Sequence, residues 1–581
     1  MATEYGQPFS PEEIGFALRD TKPGKAPGFD NINPEFLINC GKYAKVWLAR
    51  FFTDIMQTGN IPKELKQSKI IAILKPGKPA DLPASYRPIA LLSVLFKLLE
   101  RLIYNRICQK IFDVIPIEQA GFRPKRSTCD QVLSLTTFIE RGFQERLKTS
   151  AASIDLSAAY DTVWREGMIY KFLQVIPCKL TARLLNNMLS DRTFQVIMGA
   201  NKSTQRKLKN GLPQGSVLAP LLFSLYIADL PETQSKKFGY ADDWVLATGS
   251  KSFEEAEEVL TQDLEKLGRY FRQWRLKPNA SKTEVSCFHL NNKLAKKELK
   301  IQFENTLLLH NSTPKYLGVT LDRTLSLKAH LTKTAEKLRT RNNVVQKLCG
   351  TSWGASASTL RSTALSLVFS AAEYCAPVWL NSPHTHRIDA QLNNTMGMIS
   401  GVIKSTPTEW LPVLSHIPPP NLRRKNALIR EFEKISNNPD LRIHEDIENA
   451  NKTRLRSRKP PTKTAIDTAT EQNFNLLSAW QQEWTMKQRD QIPWFSQKPP
   501  GFGLPRKAWS TLNRIRTKHG RCGDLLYKWG KIPSPSCECG EKQTIDHIVK
   551  ECAITAFRGG TEEDFLMATP ESIAYLNGLD I

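Results

Sequence analysis

Three aspartates stand where apolar segments turn. Asp155 follows Ser153-Ile154, and Asp242-Asp243 sit inside Phe238-Gly239-Tyr240-Ala241-Asp242-Asp243-Trp244-Val245-Leu246. Adjacent carboxylates repel, and apolar flanks make their ionisation costly unless a cation lies among them. Carboxylate oxygens suit a hard divalent ion, Mg²⁺ or Mn²⁺, and two such ions clamp an in-line phosphoryl displacement. Taken alone, Asp-Asp is more often a solvated hairpin turn. The flanking segments decide.

A second group of ligand-type residues lies near the C-terminal end, as Cys537, Cys539, His547 and Cys552 in the spacing Cys-x-Cys-x7-His-x4-Cys. Three thiols and an imidazole suit a closed tetrahedral Zn²⁺ site of structural type. Gly540 permits the turn after the second thiol, Asp546 is placed to orient the imidazole, and Cys522 offers an alternative sulfur. Reduced cysteines beside a satisfied histidine are the plainer reading. Upstream, the basic run Asn513–Arg521 followed by Tyr527 and Trp529 has the residue types that hold phosphates and stack bases. Its rival is a solvated basic face.

These residues need a scaffold. Ser153–Leu156 reads as a short strand, Lys237–Thr248 as two strands with a tight turn at the aspartates, and Phe194–Met198 with Gln205–Leu208 as a hairpin. Val285–Leu290 and Tyr316–Leu321 read as further strands, and Ile70–Leu74 as a strand closed by Lys75-Pro76-Gly77. Apolar residues at helical spacing from Pro88 to Ile107, and a Ser10-Pro11-Glu13 capping box, mark helices. The segment Lys22–Asp30, with two Pro and two Gly, is a structured loop. Strands mixed with helices to about residue 325 give an α+β domain. Beyond it, Arg323–Leu348 carries seven Lys/Arg against Glu336 alone in a helix-compatible segment, and Asn451–Lys463 is expected to be an exposed basic linker.

Length and charge narrow the class. The chain has 581 residues, 81 Lys+Arg against 57 Asp+Glu and a formal charge of +24. That length calls for several domains, and that charge for a polyanionic partner, nucleic acid ahead of a membrane surface. No run of about 18 uncharged apolar residues exists, so no membrane span is expected. Eleven cysteines are scattered mostly singly, as in reduced intracellular proteins.

The order of motifs adds a resemblance. Ile154-Asp155-Leu156-Ser157-Ala158-Ala159-Tyr160-Asp161, Asn210-Gly211-Leu212-Pro213-Gln214-Gly215-Ser216 and Tyr240-Ala241-Asp242-Asp243 follow one another as in the palm of reverse transcriptases. Ser85-Tyr86-Arg87-Pro88-Ile89-Ala90, Gln119-Ala120-Gly121-Phe122-Arg123-Pro124-Lys125-Arg126-Ser127-Thr128 and Lys315-Tyr316-Leu317-Gly318 extend the likeness. The chain most closely resembles the enzymes of non-LTR (LINE-type, Jockey-like) retrotransposons.

The resemblance implies a right-hand polymerase: an N-terminal extension over 1–64, fingers and palm over 65–322, a helical thumb and connection over 323–436, a basic linker region over 437–500, and a CCHC zinc-knuckle-like region over 501–581. It implies an RNA-directed DNA polymerase that extends a primer 3′-hydroxyl with dNTPs on an RNA template during target-primed reverse transcription. Asp155, Asp242 and Asp243 match its catalytic Mg²⁺ triad, with Asp155 and Asp242 as the direct ligands of two ions. Tyr160 matches the ring that excludes a ribose 2′-hydroxyl, and Gln214 and Gly215 match the segment under the incoming nucleotide. Arg123 lies in the motif whose basic residues approach the triphosphate, with the choice among Arg123, Lys125 and Arg126 open. Lys282 matches a lysine near the pyrophosphate, and Tyr316-Leu317-Gly318 the primer grip. The Cys/His set matches the family's terminal Zn²⁺ knuckle.

RNA template, DNA primer or target and dNTPs are the implied partners, in the nucleus and cytoplasm. With the polymerase-type loop starting at residue 22, no room for the usual preceding endonuclease is expected. A non-catalytic nucleic-acid-binding remnant, and an RNA-templated RNA polymerase, are the rival readings.

Overall fold

Thr149, Ser150, Ala151 and Ala152 are small and buried, which lets Lys148–Ile154 run through the middle of a sheet with packing on both faces. The computed structural model describes residues 4–350, 352–447, 454–455, 458–471, 474–487, 494–495, 497–579 and 581. In it the sheet order is Leu309–His310, Glu284–Phe288, Lys148–Ile154, Asp243–Ser250, Lys236–Tyr240. The three inner pairings are antiparallel, and Leu309–His310 joins Glu284–Phe288 in parallel. Lys148 is registered on Ser250 and Ile154 on Trp244, so the polar ends of both strands emerge at one edge of the sheet. The helix Phe253–Gln273, capped by the Ser252 hydroxyl, lies on the two central strands and buries Leu260, Leu264 and Leu267.

A second sheet in the same part of the chain runs Tyr86–Leu92, Gln67–Leu74, Arg192–Met198, with Asn201–Lys202 and Arg206–Leu208 both pairing to the last of these. One large apolar core reaches from Phe9 to Leu308. At its margin the expected capping box forms: the Ser10 hydroxyl accepts from Glu13 N at 3.2 Å and the Glu13 carboxylate from Ser10 N at 2.9 Å, opening the helix Pro11–Arg19.

The chain divides into two compact units, Met1–Gln131 with Arg146–Ser312, and Val132–Glu145 with Thr313–Ile581. The division falls ten residues before the 322/323 boundary read from charge. In the second unit Lys315–Tyr316 and Val319–Thr320 form a tight hairpin, whose turn holds Leu317 and Gly318 at positive φ. The Asp322 carboxylate then accepts from Ser326 N (2.9 Å) and Leu327 N (2.6 Å), and the helix Lys328–Gln346 begins. That helix packs on His386–Ser400, which also meets Trp410–Ser415 and Arg506–Arg516. Trp410, Trp480, Trp484 and Phe495 make an edge-to-face aromatic cluster in this unit.

Three expectations change. The helix read from Pro88 starts at Val94: Tyr86–Leu92 is a strand, and the Ser93 hydroxyl caps the helix by accepting from Phe96 N at 3.2 Å. Tyr316–Leu321 is a hairpin and not one strand. The run Asn451–Lys463 lies partly outside the described residues, but its described part is not an exposed linker. Arg454 donates to the carbonyls of Phe143 and Gln144, both at 3.0 Å, and Arg458 pairs with the carboxylate of Glu140. Pro461–Glu471 and Leu476–Lys487 are helices. Arginines found their partners in carbonyl and carboxylate oxygens far away in sequence, which composition does not reveal. The mixed helix-and-sheet class stands.

Candidate active site

Tyr240 pairs with Asp243, leaving Ala241 and Asp242 as a two-residue turn, with Ala241 in the left-handed region at φ 58°. One step out from the Ile154–Trp244 pair, Asp155 leaves its strand beside Asp243. The three aspartates therefore gather at one edge of the sheet. Burial raises the Asp242 carboxyl above the ordinary carboxylate range and the charge of Asp155 raises it further. Asp243 is raised by burial, then by Asp242 and Asp155. Among the described residues no cation is a cause of either shift. Donors of this type, desolvated and mutually repelling, fit hard divalent cations.

Backbone and amide contacts hold the trio in place. Asp155 N donates to the Thr283 hydroxyl at 3.3 Å, and Asp155 O accepts from Asn279 N at 2.8 Å. Both partners belong to the loop that carries the exposed Lys282. Beneath the turn lies Gln119, 1% exposed. Its amide donates to Ala241 O at 3.0 Å and its carbonyl accepts from Ala241 N at 2.8 Å, so one side chain satisfies both backbone groups of the left-handed residue. Gly121 N donates to the same Gln119 carbonyl at 2.8 Å. A Cβ on Gly121 would stand 2.3 Å from Ala241 N, so only glycine allows this approach. Gln131 adds hydrogen bonds to the carbonyls of Glu118 (2.6 Å) and Gly239 (2.7 Å). Gln119 opens the Gln119–Thr128 motif, but nothing in its spacing points to the turn.

Tyr160 stacks on Phe223 with centroids 4.6 Å apart and meets Phe122 edge-on at 6.4 Å. Its hydroxyl is buried without a hydrogen-bond partner, and burial together with the charge of Asp242 pushes the phenol strongly up. The ring is thus clamped, neutral and close to the carboxylates. Gln214 is exposed and hydrogen-bonds the Asp161 carboxyl, while its carbonyl accepts from Ala90 N at 3.1 Å. Gly215, at φ 108°, would drive a Cβ to 2.5 Å from Ala90 O. Buried Glu100 holds the next turn by accepting from Val217 N at 2.8 Å and from the Ser216 hydroxyl.

Arg123 has a structural task. Its guanidinium donates to the carbonyls of Ile115 (3.3 Å), Pro116 (3.0 Å) and Gln119 (3.4 Å), and Arg126 donates to Ile117 O at 3.0 Å. Lys125 is the exposed cation of the three.

In the second unit Cys537, Cys539, His547 and Cys552 converge, with their ligand atoms all within 4.8 Å of one another. Cys537 Sγ lies 3.7 Å from Cys552 Sγ, and Cys539 Sγ 3.2 Å from His547 Nε2. A tetrahedral zinc with Zn–S bonds of about 2.3 Å spaces its sulfurs about 3.8 Å apart, so the set is compatible with zinc. The turn at Gly540, φ 96°, is closed by Cys537 N donating to Glu541 O at 2.7 Å. Hydrogen bonding to Thr555 pulls the Cys552 thiol down to about 6, toward the ligating thiolate. Asp546 does not orient the imidazole as expected: it pairs with Lys518 and Lys550, and Glu551 lies 3.8 Å from His547 Nδ1. Cys522 is buried and not a member of the set.

The neighbouring basic run is also not the open face expected. Arg514 and Arg516 are 4% and 5% exposed. Arg516 donates to the carbonyls of Phe565, Pro500 and Leu566, and Lys518 is paired to Asp546 and Glu562.

Comparison with known proteins follows the same geography. Residues 73–321 match the family model described as reverse transcriptase (RNA-dependent DNA polymerase). The chain is 35% identical over 399 residues to "Probable RNA-directed DNA polymerase from transposon BS" of Drosophila melanogaster, covering 67% of this chain and 43% of that protein. It is 33% identical over 348 residues to the RNA-directed DNA polymerase from mobile element jockey of Drosophila funebris, covering 58% and 37%. It is 22% identical over 561 residues to the Pol polyprotein of the type-1 retrotransposable element R1 of Bradysia coprophila, covering 94% and 54%. The chain spans about half or less of the length of these relatives.

Two outcomes follow. Asp242→Asn removes one of the repelling charges, so it raises the thermal midpoint in Mg²⁺-free buffer by about 1–3 °C. Mg²⁺ then raises the wild-type midpoint and leaves that of the variant nearly unchanged; equal Mg²⁺ shifts in both would contradict a cation site. If the Cys/His set holds zinc, elemental analysis of purified chain gives one zinc per molecule, and Cys537→Ser with Cys552→Ser abolishes it.

Proposed function

Because residues 73–321 are a reverse transcriptase domain with relatives among jockey-type mobile elements, we propose that this chain is an RNA-directed DNA polymerase of a non-LTR retrotransposon. The observation that carries the reading is the convergence of Asp155, Asp242 and Asp243 beside the clamped ring of Tyr160. In this reading the sheet bearing the aspartates is the palm, residues 65–322 comprise fingers and palm, and residues 323–436 serve as thumb and connection. The exposed lysines and arginine of Lys328–Gln346 (Lys328, Lys333, Lys337 and Arg339) track a phosphate backbone. RNA serves as template, DNA as primer and dNTPs as substrates, and the C-terminal Cys/His set holds structural Zn²⁺.

Asp155, Asp242 and Asp243 would hold divalent ions, which would supply the positive charge that a primer 3′-oxygen and a departing pyrophosphate require. The protein's own groups do the rest. Asp155, Asp242 and Asp243 would hold that charge in place, with Gln119 bonding both backbone groups of Ala241 before Asp242 and the Asn279–Thr283 loop bonding Asp155. The Tyr160 ring, backed by Phe223, closes the space a ribose 2′-hydroxyl would need. The Gln214-Gly215 turn lies under the incoming nucleotide, where the absence of a Cβ allows close backbone approach. Lys282, on the loop bound to Asp155, donates a proton toward the pyrophosphate. With Arg123 Nη1 donating to three carbonyls, Lys125 is the exposed cation of its loop placed to meet the triphosphate.

Extension of oligo(dT) on poly(rA) with dTTP tests the reading. Asp155→Asn or Asp242→Asn lowers the rate at least about 10³-fold while template binding changes less than about threefold. Near-normal extension by either variant would refute it, and preference for UTP over dTTP would point to an RNA polymerase instead. Tyr160→Ala increases ribonucleotide incorporation by about tenfold or more at unchanged primer affinity; unaltered dNTP/rNTP selectivity would remove the ring from the proposal.

A further inference from the structure

We infer that Glu100, a buried residue outside the nucleotide-binding segments, is a positioning residue for the incoming nucleotide. Acting through the Ser216 hydroxyl, it fixes both the Gln214-Gly215 turn and the backing of the Tyr160 ring. This role rests on the polymerase reading and adds to it a residue that sets nucleotide affinity and sugar selectivity.

Glu100 lies on the helix Val94–Phe112 and is 3% exposed. One of its carboxylate oxygens accepts from Val217 N at 2.8 Å and the other from the Ser216 hydroxyl. A serine hydroxyl has one proton to give and two lone pairs to offer. With the proton committed to Glu100, the Ser216 oxygen turns its lone pairs to Leu218 N and Ala219 N, both at 3.1 Å, the amides that open the helix Ala219–Tyr226. That helix therefore begins where Glu100 places Ser216. On it Phe223, fully buried, stacks on Tyr160. In the other direction the chain runs from Ser216 directly into Gly215 and Gln214.

The rest of the turn has no slack. Gln214 O accepts from Ala90 N at 3.1 Å, and a Cβ on Gly215 would stand 2.5 Å from Ala90 O. Arg165 fixes the entry by donating to the carbonyls of Leu208 (3.2 Å), Asn210 (3.1 Å) and Gly211 (3.1 Å). Glu100 fixes the exit. A displaced Ser216 therefore moves Gln214-Gly215 on one side and Phe223 on the other, the supports of the two surfaces that meet the nucleotide and its ribose in this reading.

The buried charge serves position more than stability. Burial raises the Glu100 carboxyl, against the Ser216 and Val217 hydrogen bonds and the charge of Arg192. Arg192 is 1% exposed and is lowered by burial to about 10. Its Nη1 donates to Met188 O at 3.2 Å, while Nε and Nη2 have no hydrogen-bond partner. Opposite charges buried with donors left unsatisfied add little stability, and well-packed apolar residues of similar volume commonly fold as well. What the carboxylate supplies, and an apolar side chain cannot, is a fixed direction for the Ser216 proton.

Steady-state extension of oligo(dT) on poly(rA), with dTTP and UTP titrated separately, tests this role. In Glu100→Gln the amide oxygen still accepts from Val217 N, but the amide NH2 faces the Ser216 hydroxyl and drives its proton toward the helix amides. Ser216→Ala removes the hydroxyl outright. Each variant raises the KM for dTTP about five- to tenfold, the loss expected of one hydrogen bond, with kcat within about twofold. Each also lowers the preference for dTTP over UTP about threefold or more, with template–primer affinity within about twofold of wild type. Since both substitutions act through one bond, the double variant is no worse than the more affected single one. A purely structural defect lowers the active fraction, and so kcat, with KM and the dTTP/UTP ratio at wild-type values. That outcome, or single effects that multiply in the double variant, would overturn the role of Glu100. If Glu100→Gln does not fold, Ser216→Ala decides alone. Absence of extension by the wild-type chain would instead remove the polymerase reading, and this role with it.

Discussion

Mutual repulsion among three carboxylates is the constraint around which the first unit is built. Asp242 and Asp243 are raised by burial and by neighbouring acids, with no described cation to offset them. Asp155 and Asp242 are half-buried and Asp243 is exposed at the turn. The backbone segments that bear them are tied down. Gln119 closes both hydrogen bonds of Ala241, Gly121 admits the contact, and the Asn279–Thr283 loop grips Asp155 at its N–H and its carbonyl. In the proposed reading a divalent cation would relieve this repulsion, the preorganisation expected where charge develops during reaction.

The second unit uses positive charge differently. Its arginines act as cross-links between distant carbonyls: Arg506 joins Gly350 to Met398 and Ile399, Arg516 joins Pro500 to Phe565 and Leu566, and Arg454 ties down the end of Val132–Glu145. Five donors in a rigid fork make arginine suited to this, whereas lysine would leave carbonyls unmatched. The same choice leaves net charge behind.

Many elements were legible in the sequence because they rest on local pattern. The capping box at Ser10, the hairpin at the aspartates, the strand at Glu284–Phe288 and the Cys/His cluster all follow from residue types within a few positions of each other. The errors share one cause. Pro88–Leu92 has helical spacing but pairs as a strand, since Gln67–Leu74 offers it a ladder. The Asn451–Lys463 run looks like a solvated linker, but Glu140 and the carbonyls beside it lie more than 300 residues back in sequence.

Residue type and order alone therefore determined which chemistry this protein can hold: oxygen donors where strands turn, thiolates and an imidazole at zinc-like spacing, and an excess of positive charge suited to nucleic acid. Tertiary structure decided which of those charges remain available. A carboxylate, a guanidinium or an amide is the same group wherever it occurs, but its partner is set by what the fold brings within about 3 Å of it. Gln119 became the support of the aspartate turn, and Arg516 left the surface, only once residues distant in sequence had been packed together.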